Sequence, residues 1–592
     1  MKKLSYGIII LALLAFSSCE KMFEPKGVSE VSDEDMWVVP DMAQGVLMSV
    51  YNAIPNRPDS YSGNFLDVAT DNAVTNSFDE SIYRLGMGSV TSLNNPLSVW
   101  DQTYKQFQDI HMFLDKGLTD TTKYVPSNPT EDQLMKVRLR AEAFYLRAWW
   151  GAYLLQHVGG RTTDGQALGY PIVTKFITEE EASDFSWIKR DSYEDCVAQI
   201  ISDCDAAALE LPIDAYDSYI GRATAKMAEF LKARVLMYAA SPAYQPASIV
   251  QINGMGDFTV VDEEAYKAKW HRAMVQAQKV LTMCGNPQYV ALNRTDIVDI
   301  DQSNPVTPSH FIFRYYFQGS GMETRHYPPY NFGKSQTMPS QNLVDAYPMK
   351  ANGYPINVAG SGYDPQNPYE GRDNRLDMTV YHQGSKFADL DTCLIDVVKG
   401  GKDSESFMQG GNRPSRTGYY LHKFLSHKDN MLNPIQTVTA LHFYPTMRLA
   451  EIFLIYAEAV NEVYGPTAVP IGYNASAYDV IKSIRARAGG IVDDQYIEVV
   501  KNSKDEFRKL IMNERRLEFA FENFRFWDLR RCLLPLNEEI RGVTVTRNTD
   551  GTLNYADKFV EKRGFDDVRY YYLPLPYAEV MKNSQMQNNM DY

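Results

Sequence analysis

Apolar residues recur at three- and four-residue intervals in two blocks of this chain, and a long stretch between them loses that period. In the first block, Val46, Leu47, Val50 and Ile54 share one side of residues 41–54, with Asp41 placed to cap the N-terminus. Trp100, Tyr104, Phe107, Ile110 and Leu114 do the same over residues 100–118. Further helices are predicted over 131–157, 193–211, 221–240 and 270–284, with Pro212 and Ser241-Pro242 as stop signals. Residues 56–98, rich in Asn, Ser, Gly and Pro, predict loops.

From about residue 286 to 435 Pro, Gly, Asn and Tyr dominate, and short apolar runs such as Phe311-Ile312-Phe313-Arg314-Tyr315-Tyr316 predict strands or extended loops. The segment is too long for a plain connector. Irregular segments on a rigid scaffold are where binding residues concentrate. The helical period returns from Met447 to Asn461 and over 477–487. It culminates in 511–532, IMNERRLEFAFENFRFWDLRRC, where Leu510, Leu517, Phe521 and Phe524 fall on or near one face. Asn523 suits a left-handed residue just past a helix end, because Asn tolerates positive φ. A second short helix then carries Trp527, Asp528, Leu529, Arg530 and Arg531.

So many charges beside so much aromatic surface predict a packed helix junction. A buried Arg needs a carboxylate partner, since an unpaired buried charge costs several kcal/mol or more, on the order of 3–5 kcal/mol when a pair is broken. The reading this favours is a structural ion-pair network. The sharper alternative is carboxylate-pair hydrolysis by Glu514, Glu518 and Glu522, spaced i, i+4.

The places Glu514-Arg515-Arg516, Glu522-Asn523, Arg525 and Asp528-Leu529-Arg530 resemble the signature of the SusD-like (RagB/SusD) family of outer-membrane nutrient-binding lipoproteins, with Asn523 where Gly is usual. Other segments are similar to the family in the same order: Trp100 and Tyr104 with Ile110-His111, Ala141–Ala148 (AEAFYLRA) with Arg147, Gly159-Gly160, and Gly371-Arg372-Asp373-Asn374-Arg375-Leu376. Glu451, Ala457, Glu458, Ala459 and Asn461 match next, then 477–487 and the closing Gln587-Asn588-Asn589-Met590-Asp591-Tyr592. His111 stands at an Asn position and reads as a satisfied core histidine. The resemblance implies a mainly α fold, a tetratricopeptide-like scaffold of helical pairs with a loop-rich region inserted. In it Arg147 finds a buried acceptor. The strict 34-residue repeat is not visible, so spacing alone shows only an all-helical first half.

Lys2 and Lys3, an apolar run from Ile8 to Phe16 and Ser17-Ser18-Cys19 make a secretory leader too short for a comfortable membrane span. The end of it resembles a lipobox, with lipidation at Cys19. Several acyl chains anchor firmly, since each buried CH₂ contributes about 0.8 kcal/mol. The organisation expected is 1–18 signal peptide, 19–35 lipidated tether, 36–285 helical scaffold, 286–435 loop-rich variable region and 436–592 C-terminal helical part, packed with the N-terminal part as one unit.

Net charge is −15, which argues against nucleic acid as a main partner. Cys196 and Cys204 are two helical turns apart, about 12 Å at 1.5 Å per residue, too far to bridge. No phosphate loop, HExxH or Gly-x-Ser-x-Gly elbow is present, and no Cys/His spacing suits a metal, so neither an enzyme nor a cofactor is expected. Asp299-Ile300-Asp301 could hold calcium, but a solvated turn is the simpler reading.

The 39 Tyr supply apolar faces and hydroxyls together, as saccharide binding requires. Two regions combine them with amides and charges, and the candidate ligand contacts there are Tyr61, Phe78, Tyr83, Tyr315, Tyr316, Arg325, Tyr327, Tyr330 and Asn331. None of these lies in a family motif. The resemblance implies oligosaccharide cargo, or peptide as some members handle, and a SusC-like TonB-dependent barrel as partner. The protein would sit lipid-anchored on the outer membrane and face outward.

Overall fold

Each predicted helix of the first half forms, and side-chain caps fix where most of them begin. The helices are α1 (Pro40–Asn52), α2 (Trp100–Lys116), α3 (Pro129–Val158), α4 (Tyr193–Glu210), α5 (Ala225–Ala240) and α6 (Glu263–Met283). The structure is a computed structural model describing residues 33–183, 188–215, 221–405, 408, 411–428, 432–435 and 437–592. The leader, Cys19 and most of the tether lie outside these residues. Asn128 accepts from the Thr130 and Glu131 amides, with Pro129 opening α3. Ser192, Thr224 and Asp262 cap α4, α5 and α6 in the same manner. Asp41 is not the cap expected of it. Pro40 starts α1 after Val39, and Asp41 sits in the first turn, where the helix dipole favours an acid. Likewise α6 begins before Trp270, because the Asp262 cap and the acidic Glu263-Glu264 turn precede its apolar face.

The helices pack in chain order: α3 on α4, α4 on α5 and α5 on α6. The next partner of α6 is α7 (Leu449–Tyr464), far along the chain. Ala228, Ala233, Ala239 and Ala240 of α5 are buried, which lets neighbouring backbones approach. α8 (Ala477–Arg487) and α9 (Lys504–Glu518) then pack on α7. No helix among the described residues is long and apolar enough to cross a membrane.

The middle region is stitched into both helical halves. β1 (Phe311–Gly319) pairs antiparallel with β2 (Ala440–Arg448), which runs straight into α7. Thr337–Pro339 pairs with Ala73–Thr75 of the first loop region, and Val380–Tyr381 with Tyr420–Leu421. Every sheet among the described residues has two strands. The parts expected to be purely helical each carry a hairpin: Val250–Gly254 with Asp257–Val260, and β3 (Glu539–Arg547) with β4 (Leu553–Lys562). The second was signalled by alternating Val543, Val545 and Thr544, Thr546 before Asp550-Gly551, with Gly551 at φ 89° in the turn.

The 511–532 stretch folds only partly as read, because the first helix ends before Phe521, which is itself left-handed at φ 60°. α9 stops at Glu518, Asn523 is left-handed at φ 66°, and α10 spans Arg525–Arg531. Glu522 therefore lies beyond α9 and not on the shared helical face expected for it. The ion-pair network is extensive. Glu514 bonds Arg375 and Arg485, each at 2.8 Å. Glu518 bonds Arg448 at 2.6 Å and Arg375 at 3.3 Å. Glu522 bonds Lys423 at 2.7 Å and Arg448 at 2.8 Å. Asp528 holds Arg531 at 2.7 Å and Arg515 at 3.1 Å, while Glu458 holds Arg531 at 2.7 Å. Glu451 pairs with Arg234, and Arg147 with Asp203, both at 2.6 Å. His111 is buried with its Nε2 3.3 Å from Arg147. Arg516 and Arg525 share Asp71 at 2.9 Å.

Arg530 departs from the rule that a buried Arg finds a carboxylate. It is buried between Phe526 and Phe565, with its guanidinium carbon 3.4 and 4.7 Å from the ring centres. It donates to the Phe526 carbonyl, and burial draws it down to about 9. Two aromatic faces partly replace the missing anion.

Candidate functional site

The register of β1 against β2 sets Tyr315 opposite Tyr444. Both open onto a cavity of about 150 Å³, between the strand pair, α3, α5 and the 55–61 loop. Tyr145, Trp149 and Tyr153 also line it, one helical turn apart on α3. Tyr61 comes from the loop, Tyr238 and Arg234 from α5, and Asn523, Phe524 and Trp527 from the signature. His157 forms part of the wall, bonded to the Tyr153 carbonyl at 2.7 Å and edge-on to Trp527 at 4.7 Å.

The charged groups of this cleft are already paired. Arg57 bonds Asp59 at 3.1 Å and covers Phe317 at 4.1 Å. Arg234 is bound to Glu451 and to the Thr446 carbonyl. Glu522 is held by Lys423 and Arg448. Burial would raise Asp59, but His326, Arg325 and Arg57 hold it well below the usual carboxylate range.

The hydroxyls are different. Tyr61, Tyr145, Tyr153 and Tyr315 all line the cleft, and among the described residues none of these hydroxyls has a hydrogen-bond partner; that of Tyr315 is buried as well. Burial pushes all four upward, so each keeps its proton as donor and acceptor. Tyr444 is raised to about 12 by burial, against a bond to Asn523. The cleft thus presents neutral phenols beside the indoles of Trp149 and Trp527.

The structure divides the sequence candidates. Tyr61 and Tyr315 enter the cleft. Tyr316, on the other face of β1, is exposed beside Arg314. Arg325 is bound to Asp59, with its Nε at 2.6 Å. Tyr327 is a correction: its ring is buried, its hydroxyl donates to the Ser426 carbonyl at 2.6 Å, and it packs edge-on against Phe387. It is core, continuing a segment in which Met322, Glu323 and His326 are already buried.

Phe78, Tyr83 and Tyr330 gather elsewhere, where the 76–83, 329–336 and 411–416 segments meet beside Lys402. Phe78 packs edge-on against Tyr83 at 5.1 Å and lies under Arg416 and Arg413. Lys402 sits over the exposed Tyr330 at 4.7 Å, and the Asn331 Oδ1 is buried without a partner. The Asn76 amide ties the segments by donating to the Ser335, Arg413 and Pro414 carbonyls. Gln336, bonded to Ser62, links this surface to the cleft's loop.

Sequence reading missed Tyr145, Trp149, Tyr153 and Tyr444. The first three carried a signal, an aromatic stripe at i, i+4, i+8 within a segment taken as scaffold. Asp299 and Asp301 serve loops: Asp299 accepts from Ser426 and the His427 amide, Asp301 from Ser303. Among the described residues no group of His, Cys, Asp and Glu is arranged to hold a metal.

A family model described as "SusD family" matches residues 304–592, and one described as "Starch-binding associating with outer membrane" matches residues 30–237. SusD-like protein P38 of Formosa agariphila is 23% identical over 558 residues, 91% of this chain and 93% of that protein. SusD-like protein P2 of the same organism is 30% identical over 184 residues, 31% of either chain. A SusD-like protein from Bacteroides fragilis superposes with a TM-score of 0.69 at 21% identity, covering 95% of this chain and 99% of that one. A SusD-like carbohydrate-binding protein of the same species gives 0.68 at 21%, covering 93% and 99%.

Proposed function

The chain belongs to the SusD family, whose model matches 304–592, beside the match over 30–237 to the starch-binding model, and on that premise we propose that it is a surface lipoprotein that binds a neutral oligosaccharide in the aromatic cleft. The observation that carries the reading is the set of unpartnered phenols, Tyr61, Tyr145 and Tyr153, in one cleft with Trp149 and Trp527. A sugar ring offers C–H faces to the aromatics and hydroxyls to the phenols. Because every charged group in the cleft is paired, an uncharged ligand fits without stranding a charge. A laminarin-binding SusD-like protein with this fold, at a TM-score of 0.54, supports the ligand class.

Lipidation at Cys19 would fix the protein to the outer membrane, facing outward, and a SusC-like TonB-dependent transporter would receive the cargo. Modest affinity suffices where capture and hand-over are local. A peptide reading leans on Arg325, whose charge Asp59 already meets. A hydrolytic reading leans on Glu514, Glu518 and Glu522, each saturated by cationic partners. Burial would raise Glu518, yet Arg448 and Arg375 hold it at about 2, the wrong direction for a general acid.

Affinity electrophoresis through a panel of neutral and acidic polysaccharides tests the binding. Retardation in at least one neutral gel, weakened by Tyr61→Phe, is expected. Unretarded migration in every gel overturns it. Palmitate labelling that survives Cys19→Ala would overturn the anchor.

A further inference from the structure

A crevice of about 510 Å³ lies between α9, residues 342–357 and Arg541 of β3, and it shares no lining residue with the aromatic cleft. Its size falls in the range of about 300–1,000 Å³ usual for small-molecule sites. Glu506, Lys509, Asn513 and Arg516, three or four residues apart on α9, form one side of it. Tyr496 and Asn357 line it as well.

The cations of this lining are matched by carboxylates, with one exception. Arg485 bonds Asp494 at 2.5 Å and Glu514 at 2.8 Å, Arg541 bonds Asp345 at 2.5 Å, and Lys509 bonds Glu506 at 2.8 Å. Asp345 and Glu506, the two carboxylates on the lining, are therefore both held. Arg516 is the exception. Its Nε donates to the Asn72 amide oxygen at 2.8 Å, and the one carboxylate it reaches, Asp71, is shared with Arg525. Two guanidinium groups thus divide a single negative charge. Among the described residues the Arg516 Nη1 makes no hydrogen bond. The uncharged groups are open too. The Asn357 amide and the Tyr496 hydroxyl make no hydrogen bond among the described residues, and Asn513 donates its Nδ2 to the Ala346 carbonyl at 3.0 Å while its Oδ1 accepts none. Burial pushes Tyr496 upward, so it is a neutral phenol.

We propose that the crevice is a second saccharide site, for a sugar bearing an acidic group, a carboxylate or a sulfate ester, with the acid on Arg516 and the ring hydroxyls on Asn357, Tyr496 and Asn513. A guanidinium meets either anion through charge-assisted hydrogen bonds, and the added charge completes what Asp71 supplies to two arginines. The cleft, whose charges are all paired, takes a neutral ligand, so the two sites divide saccharides by charge. The crevice stands whether or not the cleft binds, because no residue is common to both.

The test compares, by calorimetry on the full protein, digalacturonate with galactobiose, cellobiouronate with cellobiose, and lactose 6′-sulfate with lactose. At least one acidic sugar is expected to bind about tenfold or more tighter than its neutral counterpart, the worth of one charge-assisted hydrogen bond. The uronate and sulfate arms distinguish the two sources of the acid. Tyr496→Phe and Asn357→Ala should each weaken that sugar by about fivefold, one neutral hydrogen bond. Lys509→Glu, a change at an exposed side chain, should weaken it further by placing a negative charge on the lining. Equal binding of acidic and neutral sugars, or no binding of any acidic one, overturns the site. So does an acidic preference that survives all three substitutions in folded protein. A loss that follows Tyr61→Phe instead would place the acidic sugar in the cleft and overturn the crevice, while failure of the neutral gels alone overturns only the cleft.

Discussion

Arg525 and Asp71 form a two-pronged pair, both contacts at 2.9 Å, across 454 residues of sequence. Arg516 joins the same carboxylate at 2.9 Å. The signature turn is thereby locked to the loop that precedes the Ala73–Thr75 strand. Burial would raise Asp71, but the two guanidinium groups hold it well below the usual carboxylate range.

Asp71→Ala should leave two buried guanidinium groups without their anion. The expected loss is about 3–5 kcal/mol, the cost of breaking a buried pair from one side. Urea unfolding monitored by circular dichroism measures it. A loss under about 1 kcal/mol, the worth of an exposed pair, would mean that solvent already reaches this junction.

The neighbours Arg530 and Arg531 should respond differently to the same substitution. Arg531 is buried between Glu458 and Asp528, so Arg531→Met strands Glu458, while Asp528 keeps Arg515, and should cost roughly 3–5 kcal/mol. Arg530 meets aromatic rings and one carbonyl, and Arg530→Met should stay within about 1.5 kcal/mol, as for a volume-conserving core swap. Comparable losses in both variants would refute this account of Arg530.

Removal of one hydroxyl should separate ligand contact from core. Tyr61→Phe is expected to weaken glycan binding by about fivefold to tenfold, one hydrogen bond of roughly 1–1.5 kcal/mol, with stability unchanged. Tyr327→Phe should leave affinity alone and lower stability by about 1 kcal/mol, because the Ser426 carbonyl loses its donor. Calorimetric titration and thermal melts on both proteins decide it.

His157 gives a pH dependence with a defined sign. Burial brings it from 6.5 to about 4, against the Tyr153 carbonyl, which favours the proton. Between those values the unfolded chain binds more protons than the folded one. Stability from this group is therefore complete above pH 6.5 and is lost as pH falls toward 4. The size is about 3 kcal/mol at 1.36 kcal/mol per unit. In His157→Phe the drop in stability from pH 7 to 4 should shrink by that amount. An unchanged pH profile would show that His157 is protonated in the folded protein.

Much of the scaffold was legible because it rests on local chemistry. Apolar spacing located the helices, and Asn523 announced its own left-handed turn. Arg147 found the buried acceptor expected of it, Asp203. The hairpin at residues 539–562 was overlooked although Asp550-Gly551 marked its turn. The start of α6 was misplaced because its capping residue lies ahead of its apolar face. Candidate contacts fared unevenly for another reason. Tyr315, Tyr316 and Tyr327 look alike in sequence, yet alternation along β1 sends the first two to cleft and solvent, and packing against Phe387 puts the third in the core.

By itself the sequence determined the periodic elements, the clustering of charge around residues 511–532 and the family resemblance, since each depends on residues a few positions apart. Tertiary structure alone decided which phenols meet. Tyr61, Tyr153, Tyr315 and Tyr444 come from four separate segments, and only the pairing of β1 with β2 over α3 and α5 gathers their side chains around one space. No spacing rule encodes that convergence, because it is made by packing between segments and not by the period of any one of them.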